Sequence, residues 1–94
     1  MDHRPSEDLL ESVHSFPGSY QIKVIGAQDE DFTARVLAAV LEELSGPSEI
    51  EHTIRETPNG RHAALTLDIT VQSAEQVRAI YARLRLVEGL AMLL

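Results

Sequence analysis

The sequence contains no cysteine and no tryptophan, and its only aromatic residues are two tyrosines and two phenylalanines. Without cysteine there are no disulfides, thiolate zinc sites, iron–sulfur clusters or cysteine nucleophiles. No apolar run is long enough to cross a membrane. The N-terminus also lacks the basic-then-apolar layout of a signal peptide. These absences predict a cytoplasmic domain that does not enter a membrane.

Positive charge is scarce as well. Eight Lys and Arg residues stand against 15 Asp and Glu, which gives a formal net charge of -7. A chain of this charge has no broad basic surface with which to bind nucleic acid. The hydrophobic fraction of 44% and the charged fraction of 24% are those of an ordinary globular protein.

The 94 residues suffice for one domain. Residues 1–15 are mostly acidic and predict a tail, either flexible throughout or with one helical turn at Leu9, Leu10 and Val13. Phe16, Pro17 and Gly18 would end such a turn. Residues 16–94 are predicted to form the single folded domain.

The first half of this domain has the pattern of a strand and then a helix. Within 19–27, the apolar residues Tyr20, Ile22 and Val24 alternate with polar ones, which predicts a half-buried strand. A helix should follow, capped by Asp29 and stopped by Gly46-Pro47. Its apolar stripe is Phe32, Val36, Val40 and Leu44.

The middle of the chain has the pattern of a β-hairpin. Residues 49–57 alternate weakly, Asn59-Gly60 favours a type I′ turn, and 62–71 alternate cleanly. A two-residue turn pairs Ile54 with Leu65 and brings Glu51 opposite Asp68. Because like charges oppose there, we expect the pairing to have ended or a bulge to intervene.

The last part of the chain predicts a second helix and a final strand. Ser73 and Gln76 have the spacing of a capping box, and an apolar stripe runs on to about Arg85. An apolar segment, residues 90–94, closes the chain. The order β-α-β-β-α-β predicts a ferredoxin-like α+β sandwich, an antiparallel sheet of order 4-1-3-2 with both helices on one face.

Catalytic and cofactor sites of this fold are not supported by the residues. The central strands carry no aromatic residue on their open face for stacking RNA bases, and the first loop is too acidic to cradle an anion. The acidic run 29–31 is typical of a solvated helix start rather than a metal site. His52 and His62 lie too far apart along the hairpin to share a metal, and the serines are explained by helix ends. We therefore predict no catalysis, no metal and no cofactor.

The open face of the predicted sheet is the first candidate site. A threonine-rich, partly apolar face is suited to docking another sheet or a protein partner, although it is equally compatible with a merely solvated surface. Lys23 and Asp68 are expected to pair there, and either Ala91 or Leu93 should lie beside them. The candidate interaction face comprises Lys23, Ile25, Thr53, Thr66, Asp68 and Thr70.

Several short motifs resemble the YbeD-like family of small bacterial proteins over about residues 16–94. The similarity rests on Phe16-Pro17, on the strand 20–26, on Asn59-Gly60 and its following strand, and on two C-terminal segments. Those segments are the helix run from Glu75 through Tyr81 and the terminal Met92-Leu93-Leu94. The resemblance implies a ferredoxin-like fold close to the ACT type and a family of unassigned biochemical role.

The resemblance also implies a second candidate site. ACT-type domains bind amino acids near the loop after the first strand, which matches Gly26, Ala27, Gln28 and Asp29 here. Gly26 lets a ligand approach where there is no Cβ, unless it merely ends the strand, and the acidic loop would favour an ammonium group. This chain departs from the family pattern, which often has an aromatic residue, a serine and an arginine at the positions of His62, Ala64 and Ala91. If the family's ligand needs those groups, this chain would not bind it.

Two functions follow from these sites. The first is a non-enzymatic regulatory or protein-interaction module that acts through the open sheet face or a dimer interface, with a protein partner or a second copy. The alternative is an ACT-like sensor that binds an amino acid or similar metabolite near the first strand–helix loop.

Overall fold

Six elements in the order β-α-β-β-α-β form the part of the chain that the computed structural model describes, residues 16–44, 46, 49–56, 58 and 60–94. The prediction of a tail over 1–15 lies outside these residues, as do Asn59 and Pro47 of the predicted turn and helix stop. The elements are β1 (Gly18–Ala27), α1 (Glu30–Leu41), β2 (Ile50–Glu56), β3 (His62–Val71), α2 (Ala74–Leu84) and β4 (Leu90–Leu93).

The four strands form one sheet in the order β2-β3-β1-β4, with every neighbouring pair antiparallel. This is the predicted ferredoxin-like arrangement. The hairpin register is also as predicted, since Ile54 faces Leu65 and Gly60 has a positive φ of 69°. The expected interruption at Glu51 and Asp68 was wrong. These two residues face each other and the pairing continues to Ile50 and Ile69, because both carboxylates are exposed to water.

One face of the sheet carries the core, and both helices cover it. The alternate side chains of β1 and β3 are buried there, and each helix adds one apolar stripe: Phe32, Val36 and Val40 from α1, and Val77, Ile80 and Leu84 from α2. Burial of apolar surface on this scale is the main force that holds the layers together.

Both helices begin at the predicted caps. The side chain of Asp29 accepts a hydrogen bond from the backbone N–H of Phe32, and Ser73 Oγ accepts one from Gln76 N at 3.1 Å. The capping box is incomplete, because Gln76 Oε1 accepts from the N–H of Gln72 at 2.6 Å rather than from that of Ser73. Gln76 Nε2 donates instead to the carbonyl of Glu43, which joins the two helix ends.

The first helix is shorter than its apolar stripe predicted. It ends at Leu41, and tight turns then carry the chain to Leu44, whose N–H donates to Leu41 O at 3.3 Å. Leu44 still packs against the core. The stripe therefore identified correctly a residue that packs on the core, but it placed this half-buried residue in the wrong conformation.

A register shift separates the two ends of β4. Ile25 faces Met92, whereas its neighbour Gly26 faces Leu90, so Ala91 is the extra residue of a bulge. Beyond the bulge Lys23 and Leu94 exchange backbone hydrogen bonds of 3.2 and 2.9 Å. Met92 and Leu94 therefore lie on the open face and Leu93 on the covered face. The expectation that Ala91 or Leu93 would lie on the open face was wrong, because the sequence gives no sign of the bulge.

Candidate functional site

The open face of the sheet brings the predicted interaction residues together in cross-strand rows. Thr53 faces Thr66, which in turn faces Lys23 on β1, and Leu94 follows on the far side of Lys23. A parallel row runs from Arg55 through Ala64 and Ile25 to Met92. The face therefore changes from polar at β2 to apolar at β4.

The β4 end of this face is an apolar corner made of Ile25, Met92 and Leu94. Met92 is 51% exposed and Leu94 62% exposed, while Ile25 is half-buried between its neighbours. Exposed large apolar side chains that adjoin one another are uncommon on soluble proteins outside binding surfaces. This corner was only partly found from the sequence, which pointed to Ile25 but not to the two β4 residues.

Charge is balanced across the open face. Lys23 and Arg55 supply two positive charges, and Glu51 and Asp68 supply two negative ones, whereas the whole chain carries -7. Asp68 faces Gln21, whose Nε2 donates to Asp68 Oδ1 at 3.0 Å. The prediction that Lys23 pairs with Asp68 was wrong. Lys23 faces Thr66, and Asp68 faces Gln21. The face can thus approach a partner without the repulsion that the net charge would otherwise cause.

The second candidate site, the loop after β1, begins at a tightly packed glycine. A Cβ built on Gly26 would lie 2.2 Å from the Phe32 ring and 2.6 Å from the carbonyl oxygen of Gly89. That same carbonyl accepts a hydrogen bond of 3.0 Å from Ala27 N. The absence of a side chain at Gly26 is therefore explained by the approach of helix α1 and the loop before β4.

Two polar side chains follow Gly26 in this loop. The carboxylate of Asp29 is engaged as the cap of α1, although the residue is exposed. The side-chain oxygen of Gln28 is buried, and no donor among the described residues reaches it. A buried amide oxygen without a donor is unfavourable by roughly 1–3 kcal/mol. Of these two polar side chains, Gln28 is thus the one whose acceptor is not used by a donor among the described residues.

Long-range polar contacts that the sequence did not reveal hold the helices in place. Arg35 Nε and Nη2 donate to the Glu88 carbonyl at 3.2 and 3.0 Å, which fixes the loop before β4. Arg83 pairs with Glu42 and Glu43 just beyond α1. These partners are 40 to 53 residues apart in the chain, so no local pattern could have identified them.

Tyr81 and Tyr20 also form a contact between distant parts of the chain. Their rings meet edge to face with centroids 6.4 Å apart, and the Tyr81 hydroxyl lies 3.4 Å from the Leu94 carbonyl oxygen. Partial burial, together with the neighbouring Tyr20, raises the pKa of Tyr81 to about 12. Arg85, whose guanidinium lies 5.9 Å from the centre of the Tyr81 ring, opposes this shift. The neutral phenol is therefore the form that this position favours.

The histidines that the sequence analysis considered are well separated. His52 faces Leu67 and His62 faces Ala27, five residues apart along β3. Over the described ranges, no three His, Asp or Glu side chains are grouped as a metal ion would require. In the same part of the chain no helix is both long and apolar enough to span a membrane.

Structural comparison finds this fold in other proteins. The chain is similar to protein HP0495 from H. pylori, with a TM-score of 0.70, 14% identity and coverage of 100% of this chain and 98% of that one. It is also similar to the ACT domain from the GTP pyrophosphokinase of Chlorobium tepidum, with a TM-score of 0.58 and 17% identity over 81% and 94% of the two chains. These likenesses show a shared ACT-like, ferredoxin-like fold.

Sequence comparison places the chain among bacterial relatives. A UPF0250 protein of Shewanella woodyi is 31% identical over 85 residues, which is 90% of this chain and 94% of the relative. A UPF0250 protein of Chromobacterium violaceum is 29% identical over 77 residues, 82% of this chain and 86% of the relative. Residues 11–94 match the model of the family described as "Protein of unknown function (DUF493)". The resemblance to the YbeD-like proteins is thereby confirmed, and the chain belongs to the DUF493 family.

Proposed function

We propose that this protein is a non-enzymatic cytoplasmic module that regulates a partner by binding it through the open face of the sheet. The observation that carries the proposal is the apolar corner of Ile25, Met92 and Leu94, on a face whose positive and negative side chains are equal in number. The described residues offer no cluster of metal ligands that would favour a metal-dependent reaction instead.

The shape of this face favours a protein as the partner. Two sheets pack face to face about 10 Å apart, and side chains of intermediate size such as threonine and isoleucine fill that gap well. Thr53, Thr66 and Ile25 lie in adjacent rows of the open face. The face would therefore accept a flat surface of little net charge, either of another protein or of a second copy.

The test compares two substitutions at equally exposed apolar residues. Met92 on the open face is 51% exposed, and Ile54 on the other side of the sheet is 50% exposed. Proteins captured from a bacterial lysate with the wild-type chain should be lost with Met92→Glu and retained with Ile54→Glu. Equal capture by both variants would count against the open face.

A small metabolite is the second candidate partner, and the buried oxygen of Gln28 is the observation that favours it. Gln28 lies between Ala27 and Asp29, in the loop that the sequence analysis put forward as a candidate amino-acid site. A ligand with an N–H or ammonium donor would satisfy this oxygen. The exposed Asp29 would favour the same positively charged group.

Thermal unfolding in the presence of each common amino acid tests this second function. A ligand at about 100 times its dissociation constant stabilises the folded chain by ~2.7 kcal/mol, which is easily detected. The stabilisation should disappear in Gln28→Leu, which keeps the size of the side chain and removes its oxygen. If no amino acid raises the unfolding temperature, the sensor function is wrong and the interaction function is unaffected.

A further inference from the structure

Strand β2 is an edge of the sheet that is exposed on both of its faces. Among the described residues it pairs only with β3, and every residue from Glu51 to Glu56 is exposed. His52 and Ile54 are on the side of the helix layer, so their exposure shows that neither helix extends over β2. The strand contains no proline, and its pairing with β3 has no bulge. It therefore lacks two devices that commonly keep an edge strand from pairing further.

The other hydrogen bonds of the sheet determine which backbone groups of β2 point outward. Lys23 and Leu94 exchange two backbone hydrogen bonds, so the backbone of Lys23 is directed to β4 rather than to Thr66. Because this direction alternates in an antiparallel sheet, Thr66 and Thr53 are directed to each other. The N–H and C=O groups of the even-numbered residues of β2 therefore point away from the sheet. These residues are Ile50, His52, Ile54 and Glu56.

Two opposite charges lie symmetrically about the middle of this edge. Thr53 is the central residue of β2, with Glu51 two positions before it and Arg55 two positions after it. All three share the open face, because they face Asp68, Thr66 and Ala64 of β3 in turn. Within the described ranges, neither Glu51 nor Arg55 forms an ion pair. When the strand is reversed about Thr53, each charge takes the place of the opposite one.

We propose that β2 pairs with β2 of a second copy of this chain, antiparallel and about a two-fold axis at Thr53. In this register Glu51 of one copy faces Arg55 of the other, and the contact occurs twice. The outward-directed residues also face one another, as His52 and Ile54 do, so about eight backbone hydrogen bonds form between the copies. Glu51 and Arg55 belong to non-hydrogen-bonded pairs, in which opposing side chains are closest.

The charges favour this register over its neighbours. A shift that keeps the outward-directed groups together moves the axis by one residue, to His52 or to Ile54. With the axis at His52, Arg55 would face Glu49, which precedes the strand and has a buried carboxylate oxygen. With the axis at Ile54, Arg55 would face Thr53. Only the axis at Thr53 pairs all seven residues of β2 and matches both of its opposite charges.

This dimer is independent of the proposed function, because it does not use the apolar corner of Ile25, Met92 and Leu94. The two-fold axis is perpendicular to the sheet, so both open faces lie on the same side of one continuous sheet. The corners adjoin β4, at the edge opposite β2. At the spacing of about 4.8 Å between neighbouring strands, the two corners would lie roughly 34 Å apart. A partner that is itself two-fold could then contact both.

Charge reversal in the full chain tests the pairing by sedimentation equilibrium. The wild type should be dimeric. Glu51→Arg and Arg55→Glu each set like charges opposite each other, twice, so each should raise the dissociation constant by about tenfold or more. The variant with both changes restores two opposite pairs and should return the constant to within about threefold of the wild type. Glu75→Arg on α2, with the same change in net charge as Glu51→Arg, should leave it unaltered, as should Met92→Glu.

Mixing the two single variants gives a second readout. A copy with Glu51→Arg and a copy with Arg55→Glu match opposite charges at both contacts, so the mixture should form heterodimers at least about tenfold more tightly than either homodimer. A monomeric wild type would overturn the proposal, and so would failure of both the double variant and the mixture to restore dimers. Dissociation by Met92→Glu but not by the reversals would assign the dimer to the open face instead. Circular dichroism verifies that each variant is folded.

Amide hydrogen exchange tests the wild type without any substitution. In concentrated solution the N–H groups of His52 and Ile54 should exchange at least about tenfold more slowly than in dilute solution, because the second copy accepts their hydrogen bonds. Thr53 and Arg55, which are directed to β3, should be protected at both concentrations. Exchange at His52 and Ile54 that does not depend on concentration would contradict the pairing.

Discussion

The two helices of this domain meet the same sheet but present different surfaces to water. Their inner stripes are fully buried and of similar composition. On the outside, α2 carries the exposed charges of Glu75, Arg78 and Arg83, whereas the outward positions of α1 between Asp31 and Glu42 carry exposed alanine and half-buried leucine. The fold dictates the inner stripes because they close the core, but it leaves the outer surfaces free. The difference between the two exteriors is therefore not required by the packing of the core.

The largest loss of stability should come from a substitution on the inner side of α1. Phe32 is fully buried against Gly26 and close to Gly89, so Phe32→Ala removes the side chain that joins the helix to both loops. We expect the free energy of unfolding to fall by about 3–5 kcal/mol. Chemical denaturation measures this fall, with Leu86→Ala as an exposed control that should change stability by no more than about 0.5 kcal/mol. A small loss in Phe32→Ala would mean that α1 contributes less to the core than its burial indicates.

The contact beneath Phe32 should give the next largest effect. Gly26→Ala forces a methyl group to within 2.2 Å of the Phe32 ring and should destabilise the chain by about 1–3 kcal/mol. The smaller side chain of Phe32→Leu should relieve part of this clash in the double variant. If the two substitutions had additive effects on the free energy of unfolding in a double-mutant cycle, the need for glycine at position 26 would not come from its packing against α1.

Substitutions at the N-caps allow the two helices to be compared at equivalent positions. Asp29→Ala and Ser73→Ala each remove the acceptor for one N–H of the first turn, so each should lower stability by about 1 kcal/mol. Asp29→Ser and Ser73→Asp keep an acceptor and should retain most of the stability. A much larger loss at Asp29 alone would indicate a role of that carboxylate beyond capping α1.

The smallest change in stability at neutral pH should come from substituting Tyr81 on α2. Because folding raises its pKa above 10 to about 12, the neutral phenol stabilises the folded chain below pH 10, and this contribution is lost as the pH rises to 12. Tyr81→Phe should therefore unfold less readily than the wild type between these pH values. Absorbance titration of the phenolate gives the pKa directly, and identical alkaline unfolding of the two proteins would contradict the shift.

Much of the fold was predictable because its signals are local. The alternation in 62–71, the turn at Asn59-Gly60 and the caps Asp29 and Ser73 each depend on a few neighbouring residues. The turn also set the register of β2 against β3, including the pair Glu51 and Asp68. The effect of that pair was misjudged, since charge repulsion in water is too weak to interrupt a ladder of backbone hydrogen bonds.

The candidate sites were predictable only in part. The open-face positions of β1 and β3 follow from strand alternation, so Lys23, Thr66 and Asp68 were placed correctly. The apolar corner was predicted only in part, because the bulge at Ala91 reverses which β4 residues face outward. The unpaired oxygen of Gln28 was equally inaccessible to sequence reasoning, since hydrogen-bond satisfaction depends on every neighbouring element.

The sequence by itself determined the order of the six elements, the helix caps, the hairpin register and the residues of the core, because these follow from short-range hydrogen bonding and from the periodicity of apolar side chains. Only the tertiary structure decided that Phe32 occupies the space above Gly26, that Arg35 holds the Glu88 carbonyl, and that Met92 and Leu94 face outward. Those features depend on segments dozens of residues apart meeting at ångström distances, and a linear pattern carries no record of such distances.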